Sequence, residues 1–335
     1  MKRYLLIIIA ITFVFSGCKK KNSLDVDVSD IKVDLKIERF DVEFFTIQTD
    51  KIYYEIPKFE KKYAAFFDIY NYELIGVGLP THKDYYENLN RFYDYCDSKL
   101  LTDEVWRIFP QNDDFIHQKL ESAFKHYKYY YPEKEIPRII TAITGFSVSV
   151  FTGQDFIGIS LDKYLGANFK PYSTMFDKYL YRRMNKNMIP VDVMKSLCIV
   201  DFPYHDSINT VLTKMIYEGK IQYFLDAMLP NTADSLKWGY TDIQFRWADK
   251  FQSQIWDYLV SENILFSNKI MEIKTFTGEA PFTTPFKSES APRAGTFIGY
   301  RIVQAYMENN ENVTLQEFMN ENDYMKIYNL SFFEP

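Results

Sequence analysis

Histidine is scarce in this chain, with four among 335 residues: His82, His117, His126 and His205. No two of them stand four residues apart, so no helix offers the paired imidazoles that a zinc hydrolase needs. Cysteine is rarer still. Cys18 lies close to the start, which leaves Cys96 and Cys198. An oxidising compartment would let those two pair, but the burial preference of cysteine favours two separate thiols. An excess of basic charge is also missing. Without the first 17 residues, which carry Lys2 and Arg3, 37 Lys and Arg face 45 Asp and Glu, a net charge of −8. Nucleic-acid binding therefore has no footing. The basic run Lys19-Lys20-Lys21 sits where it could touch a membrane surface. The apolar run Tyr4–Phe15 has twelve residues, too few to span a bilayer. There is no internal repeat, low-complexity tract or interior linker, which argues for one large domain.

Aromatic residues are abundant. Phe and Tyr number 29 and 27, enough to build a core or a sticky cleft. At the N-terminus, Lys2 and Arg3 precede the short apolar run, the pattern of a secretory signal. Phe15-Ser16-Gly17-Cys18 follows and resembles a bacterial lipoprotein box, in which the cysteine is acylated. Residues 1–17 thus read as a signal peptide and 18–34 as a lipidated flexible tether. Residues 35–335 read as one globular domain.

Along that domain, Val33, Leu35 and Ile37 alternate as in a first strand. Helical spacing follows over 52–72, 85–101 and 105–131. Arg138–Ile143, Phe146–Phe151 and Phe156–Leu161 are β-rich runs around the turn Gly153-Gln154-Asp155, so a small antiparallel sheet is expected. Helices are then expected over 173–185, 191–200, 242–261, 296–309 and 314–328. Thr314 and Glu317 form a capping box for the last. A Pro-rich loop, 278–295, interrupts them. The fold class is α+β, mostly helical.

The stretch that organises the rest is Asp206–Met228. Ile208, Val211, Leu212, Met215 and Ile216 recur at helical spacing, with Asp206 and Ser207 as cap types and Pro230 beyond the end. Glu218 falls on or beside the apolar stripe, where a carboxylate needs a partner. Gly219 next to it would admit another element closely. An inward Glu followed by Gly is how many zinc peptidases present their third ligand. Upstream, where the other two ligands would stand, lies Val191-Asp192-Val193-Met194-Lys195. Valine cannot ligate, and lysine puts positive charge where a metal would sit. An ion pair between Glu218 and Lys195 in place of the metal is the natural expectation.

The order FIGISLDKYLG (156–166), IPVDVMKSL (189–197), MIYEGKIQYFLDAMLP (215–230), QFRW with QIWDYLV (244–260) and PRAGTFIGYRIVQAYM (292–307) resembles the gliding-motility lipoprotein GldB family. IERFDVEFF (37–45) and KYAAFFDIYNY (62–72) resemble its opening. That family is distantly similar to predicted zinc-dependent proteases of gluzincin type. The resemblance implies a degenerate zincin-like domain with Glu218 at the third-ligand position. It places Arg293, Gly295, Gly299 and Tyr300 near a cleft, together with Tyr217 and Gly219. It implies vestigial metal-site positions at Val191, Asp192 and Lys195, no catalytic residue, no metal and no cofactor beyond lipid on Cys18. It also implies a role in gliding and in type IX secretion, with envelope proteins as partners and the membrane reached through the lipid. The residues after Cys18 are basic rather than acidic and carry no acidic surface-export signal, so the protein is expected to face the periplasm.

Two other readings remain open. A metallopeptidase with a rebuilt site would recruit His205 or Asp192. A peptide-binding module would use Tyr217, Tyr300 and the strand 156–161 to pair with an extended chain.

Overall fold

The computed structural model describes residues 24–205 and 209–335. The expected signal peptide, Cys18 and the cap candidates Asp206 and Ser207 lie outside the described residues, as does Ile208. Within the expected tether Leu24 joins the core and Val26 and Val33 lie against it, with exposed residues between them.

Helices surround a four-stranded sheet of order β1-β2-β4-β3 (Ile37–Glu38, Arg138–Ala142, Phe156–Ser160 and Val150–Thr152). The sheet is mixed rather than antiparallel throughout. β1 runs parallel to β2, and β2 parallel to β4 with Ile139 opposite Ile157. Only the β3–β4 hairpin is antiparallel. The chain therefore cannot turn tightly from β2 into β3, because β4 lies between them. Asp162 fixes the wide connection instead. Its buried carboxylate accepts backbone N–H bonds from Thr144 at 3.0 Å and Phe146 at 2.5 Å. Burial outweighs those donors and raises its pKa to about 6. The first strand is only two residues long, and Phe40–Phe45 is a helix. Phe40 packs on Phe44, Tyr63, Phe66 and Tyr70 with ring centroids 4.8–5.0 Å apart.

Several helices expected to be continuous are broken. The 52–72 segment is interrupted at Ala64, whose φ is 44°. The 105–131 segment is two helices, Leu101–Ile108 and Phe115–Tyr130, with Pro110 in the gap. The 242–261 helix is divided at Phe251, and Ile243, expected on its buried side, is 65% exposed. The last helix is divided into Leu315–Asn320 and Tyr324–Ser331, with the Thr314–Glu317 capping box in place.

The central helix is Val211–Met228. Its N-cap is Thr210, whose hydroxyl accepts from Thr213 N while Thr213 Oγ1 accepts from Thr210 N. It is not a surface helix with one apolar stripe, because it is buried almost all round. Even Lys220 lies inside, donating to the carbonyls of Met319 at 3.1 Å and Glu321 at 2.6 Å at the end of the Leu315–Asn320 helix. Burial lowers its pKa to about 8.

The most extensive helix contact joins the central helix to the closing helix, Ala294–Asn309. Gly219 and Gly299 form the crossing. A Cβ on Gly299 would come within 1.9 Å of Met215 O, and one on Gly219 within 2.5 Å of Gly299 C. Neither backbone can yield, so the closeness expected of Gly219 is real, and Gly299 is its counterpart. Gly299→Ala should cost about 3 kcal/mol or more in urea unfolding, the upper range for overpacking. A loss below about 1 kcal/mol would show that the crossing is soft.

Candidate active-site cleft

The helix Ile189–Asp201 lies between sheet and central helix and has two faces. Val191, Met194 and Cys198 are buried in the core. Asp192, Lys195, Ser196 and Ile199 follow i, i+3, i+4, i+7 spacing and line one cleft. The N-terminal end of β3 forms part of its wall, Phe176–Met188 another, and Lys163, Tyr164 and Glu279 complete it. Its volume is about 400 Å³. A larger groove of about 570 Å³ lies near the helix Ile52–Tyr63, but its Lys62–Glu43 and Lys58–Glu55 pairs satisfy each other at 2.6 and 2.7 Å.

Charge in the cleft is mostly paired. Tyr164 donates its hydroxyl to Asp192 Oδ2 at 2.8 Å, and burial raises the Asp192 pKa. Arg183 Nη1 lies 3.1 Å from both Glu279 oxygens. Arg293, buried at the N-cap of the closing helix with φ 53°, reaches Glu279 at 3.6 Å and donates to Trp238 O. Burial alone would raise the Glu279 pKa, but Arg293, Arg183 and Lys195 outweigh it and bring it to about 2. Lys163 donates to Phe146 O at 3.4 Å and lies over the Phe176 ring at 4.2 Å. Lys195 is the exception. It makes no hydrogen bond or ion pair to any described residue. Burial lowers its pKa, against the opposing pull of Glu218 and Glu279.

The expected Glu218–Lys195 ion pair is not formed. Glu218 pairs with Lys214 one helical turn earlier, at 3.0 Å, because both project from the same side of the central helix. It does not line the cleft. Val191 is 2% exposed and belongs to the core. Tyr217 is buried and donates to Phe202 O at 3.2 Å, and Gly219 and Gly299 lie at the helix crossing. Gly295 packs on Phe276. Tyr300 donates to Asp226, which also holds Lys237. Thus the structure brings Asp192 and Lys195 together in the cleft, with Arg293 behind Glu279. It leaves the other expected cleft residues in the packing around it. His205 is exposed and outside the lining. Cys96 and Cys198 are buried free thiols.

Sequence reading missed Lys163, Tyr164, Arg183 and Glu279. Lys163 and Tyr164 lie within the quoted segment FIGISLDKYLG, directly after β4. Glu279 carries no pattern of its own, since it opens the Pro-rich loop.

A zinc ion of the gluzincin kind does not fit this residue set. Lys195 and Val191 cannot ligate. Among the described residues no group of three or more His, Cys, Asp or Glu could hold a metal ion. The cleft offers a Tyr–Asp hydrogen bond, a clamped Glu and a free ammonium, which together suit recognition of a polar group.

The Glu279 clamp makes a pH-dependent contribution to stability. Its folded pKa of about 2 lies below the ordinary 4.5, so its stabilisation is present above 4.5 and lost as pH falls toward 2. Glu279→Gln should therefore lower the urea midpoint at neutral pH and have no effect near pH 2. An equal gap at both pH values would show that the arginines do not hold the carboxylate.

Comparison with curated proteins and with solved structures returned no match. The family described as gliding motility protein GldB matches residues 21–335, nearly the whole chain. The chain therefore belongs to the GldB family of gliding motility proteins.

Proposed function

We propose that this chain is a lipid-anchored envelope protein that supports gliding motility, and the type IX secretion machinery associated with it, in a non-catalytic accessory role. Membership of the GldB family supports the link to gliding. No helix among the described residues is long and apolar enough to cross a membrane, which accords with attachment through lipid on Cys18. The cleft supports the non-catalytic reading: Lys195, which the resemblance puts at a ligand position, lines it as an unpaired ammonium. On this reading Val191, Asp192, Lys195 and Glu218 stand at the positions of a disabled metal site. Fold likeness confers no activity without the ligands.

Metal analysis of residues 19–335, purified without chelator, tests this reading. Zinc should be substoichiometric, and Glu218→Ala should leave it unchanged. Stoichiometric zinc that disappears in Glu218→Ala would sink the reading and favour the rebuilt peptidase.

One observation favours a second reading, a peptide-binding module. The expected docking strand, 156–161, is interior: β4 pairs on both sides. The two edges are β1 and β3, and the edge beside the cleft is β3, whose Val150 lines it. Ser149 and Gly153 bond across the hairpin to Ser160 and Phe156. Alternation therefore turns the backbone groups of Val150 and Thr152 outward. Thr152→Pro removes one outward N–H without breaking the hairpin ladder. It should abolish capture of extended peptides and leave the unfolding midpoint nearly unchanged. Undiminished capture would exclude pairing at this edge.

A further inference from the structure

We propose that the cleft contains a carboxylate-binding site centred on Lys195, which takes an acid with a short apolar body. The inference rests on the reading of the cleft as a binding surface. The groups lining it include three cations, Lys163, Arg183 and Lys195, and two anions, Asp192 and Glu279. One further negative charge balances them, whereas a dianion would be opposed by the two carboxylates already present. Arg183 is committed to Glu279, and Lys163 to the Phe146 carbonyl and the Phe176 ring. Asp192 is committed to Tyr164. Lys195 has three N–H donors and no acceptor among the described residues. Glu218, which acts on Lys195 from outside the lining, is itself paired with Lys214 at 3.0 Å.

An unpaired ammonium in a recess is costly, and its natural complement is a carboxylate. The rest of the wall selects what carries that carboxylate. Phe176, Leu180, Met184 and Ile199 line the same space and suit an aliphatic body. At about 400 Å³ the cleft has room for several heavy atoms beyond the acid group. Two sources share this chemistry, the C-terminus of a polypeptide and a small aliphatic acid.

The test is calorimetric titration of the purified protein with hexanoate and hexanamide. In parallel, a blocked Ala-Ala-Leu tripeptide is titrated with a free and with an amidated C-terminus. Each acid should bind about tenfold more tightly than its amide. Lys195→Met should lose that preference, yet melt at a higher temperature because an uncompensated charge is gone. A peptide acid that binds better than hexanoate identifies a polypeptide end as the source, and the reverse order identifies a small acid. Equal binding of acids and amides, no binding of either, or full acid affinity in Lys195→Met would overturn the proposal. Amine-reactive labelling of the wild type, read by mass spectrometry, gives a measurement free of any folding defect in the variant. Hexanoate should slow labelling of Lys195 severalfold and leave exposed Lys58 unchanged, and unslowed labelling counts against the site. Cleavage of the amidated peptide in the same mixture would instead remove the binding reading beneath the proposal, a separate outcome visible as shorter products.

Discussion

The crossing of Gly219 and Gly299 is the constraint on which the rest of the molecule depends. Two helices meet there with backbone against backbone, and no Cβ fits between them. That closeness lets the closing helix cover one side of the central helix, while the Lys195 helix, Phe115–Tyr130 and Ile270–Thr277 pack elsewhere around it. A helix enclosed in this way must be apolar or internally satisfied on every face. Lys220 meets the requirement by terminating a neighbouring helix, and Thr210 with Thr213 by closing the N-terminal turn.

The same packing positions the cleft. With one face of the Lys195 helix held in the core, the opposite face has to look out between sheet and loop. The Pro-rich loop brings Glu279 to that opening, and Arg293 anchors it from the start of the closing helix. Charges from four separated stretches of chain then share one small space. Most pair off, because an isolated charge in a recess costs more than the entropy of ordering its partner. Lys195 is left over, and a leftover charge in a cleft is more often tolerated for binding than for stability.

Much of the helical content was legible because apolar spacing and capping residues are local signals. The Thr314–Glu317 box and the strong pattern around Val211–Ile216 are examples. Breaks at Ala64 and Phe251 were not legible, since neither residue is a helix breaker and the interruption is imposed by packing. The sheet was legible as three neighbouring β-rich runs but not as a mixed sheet. Strand order depends on which edges meet: β4 lies between β2 and β3, and Asp162, beyond β4, binds the backbone of the β2–β3 connection.

Taken alone, the sequence determined the class of the fold and the family resemblance, and it showed that no two histidines stand four residues apart. It grouped Val191, Asp192 and Lys195 on one helix, and the structure separates them, with Val191 in the core and Asp192 and Lys195 on the cleft face. Only the tertiary structure decided that Glu218 pairs with Lys214 and forms no ion pair with Lys195. It also decided that Tyr217, Gly219 and Gly299 serve packing and that Tyr164, Arg183 and Glu279 complete the cleft. Those outcomes depend on which distant segments come within a few ångströms of one another, and that proximity is set by the packing of the whole core.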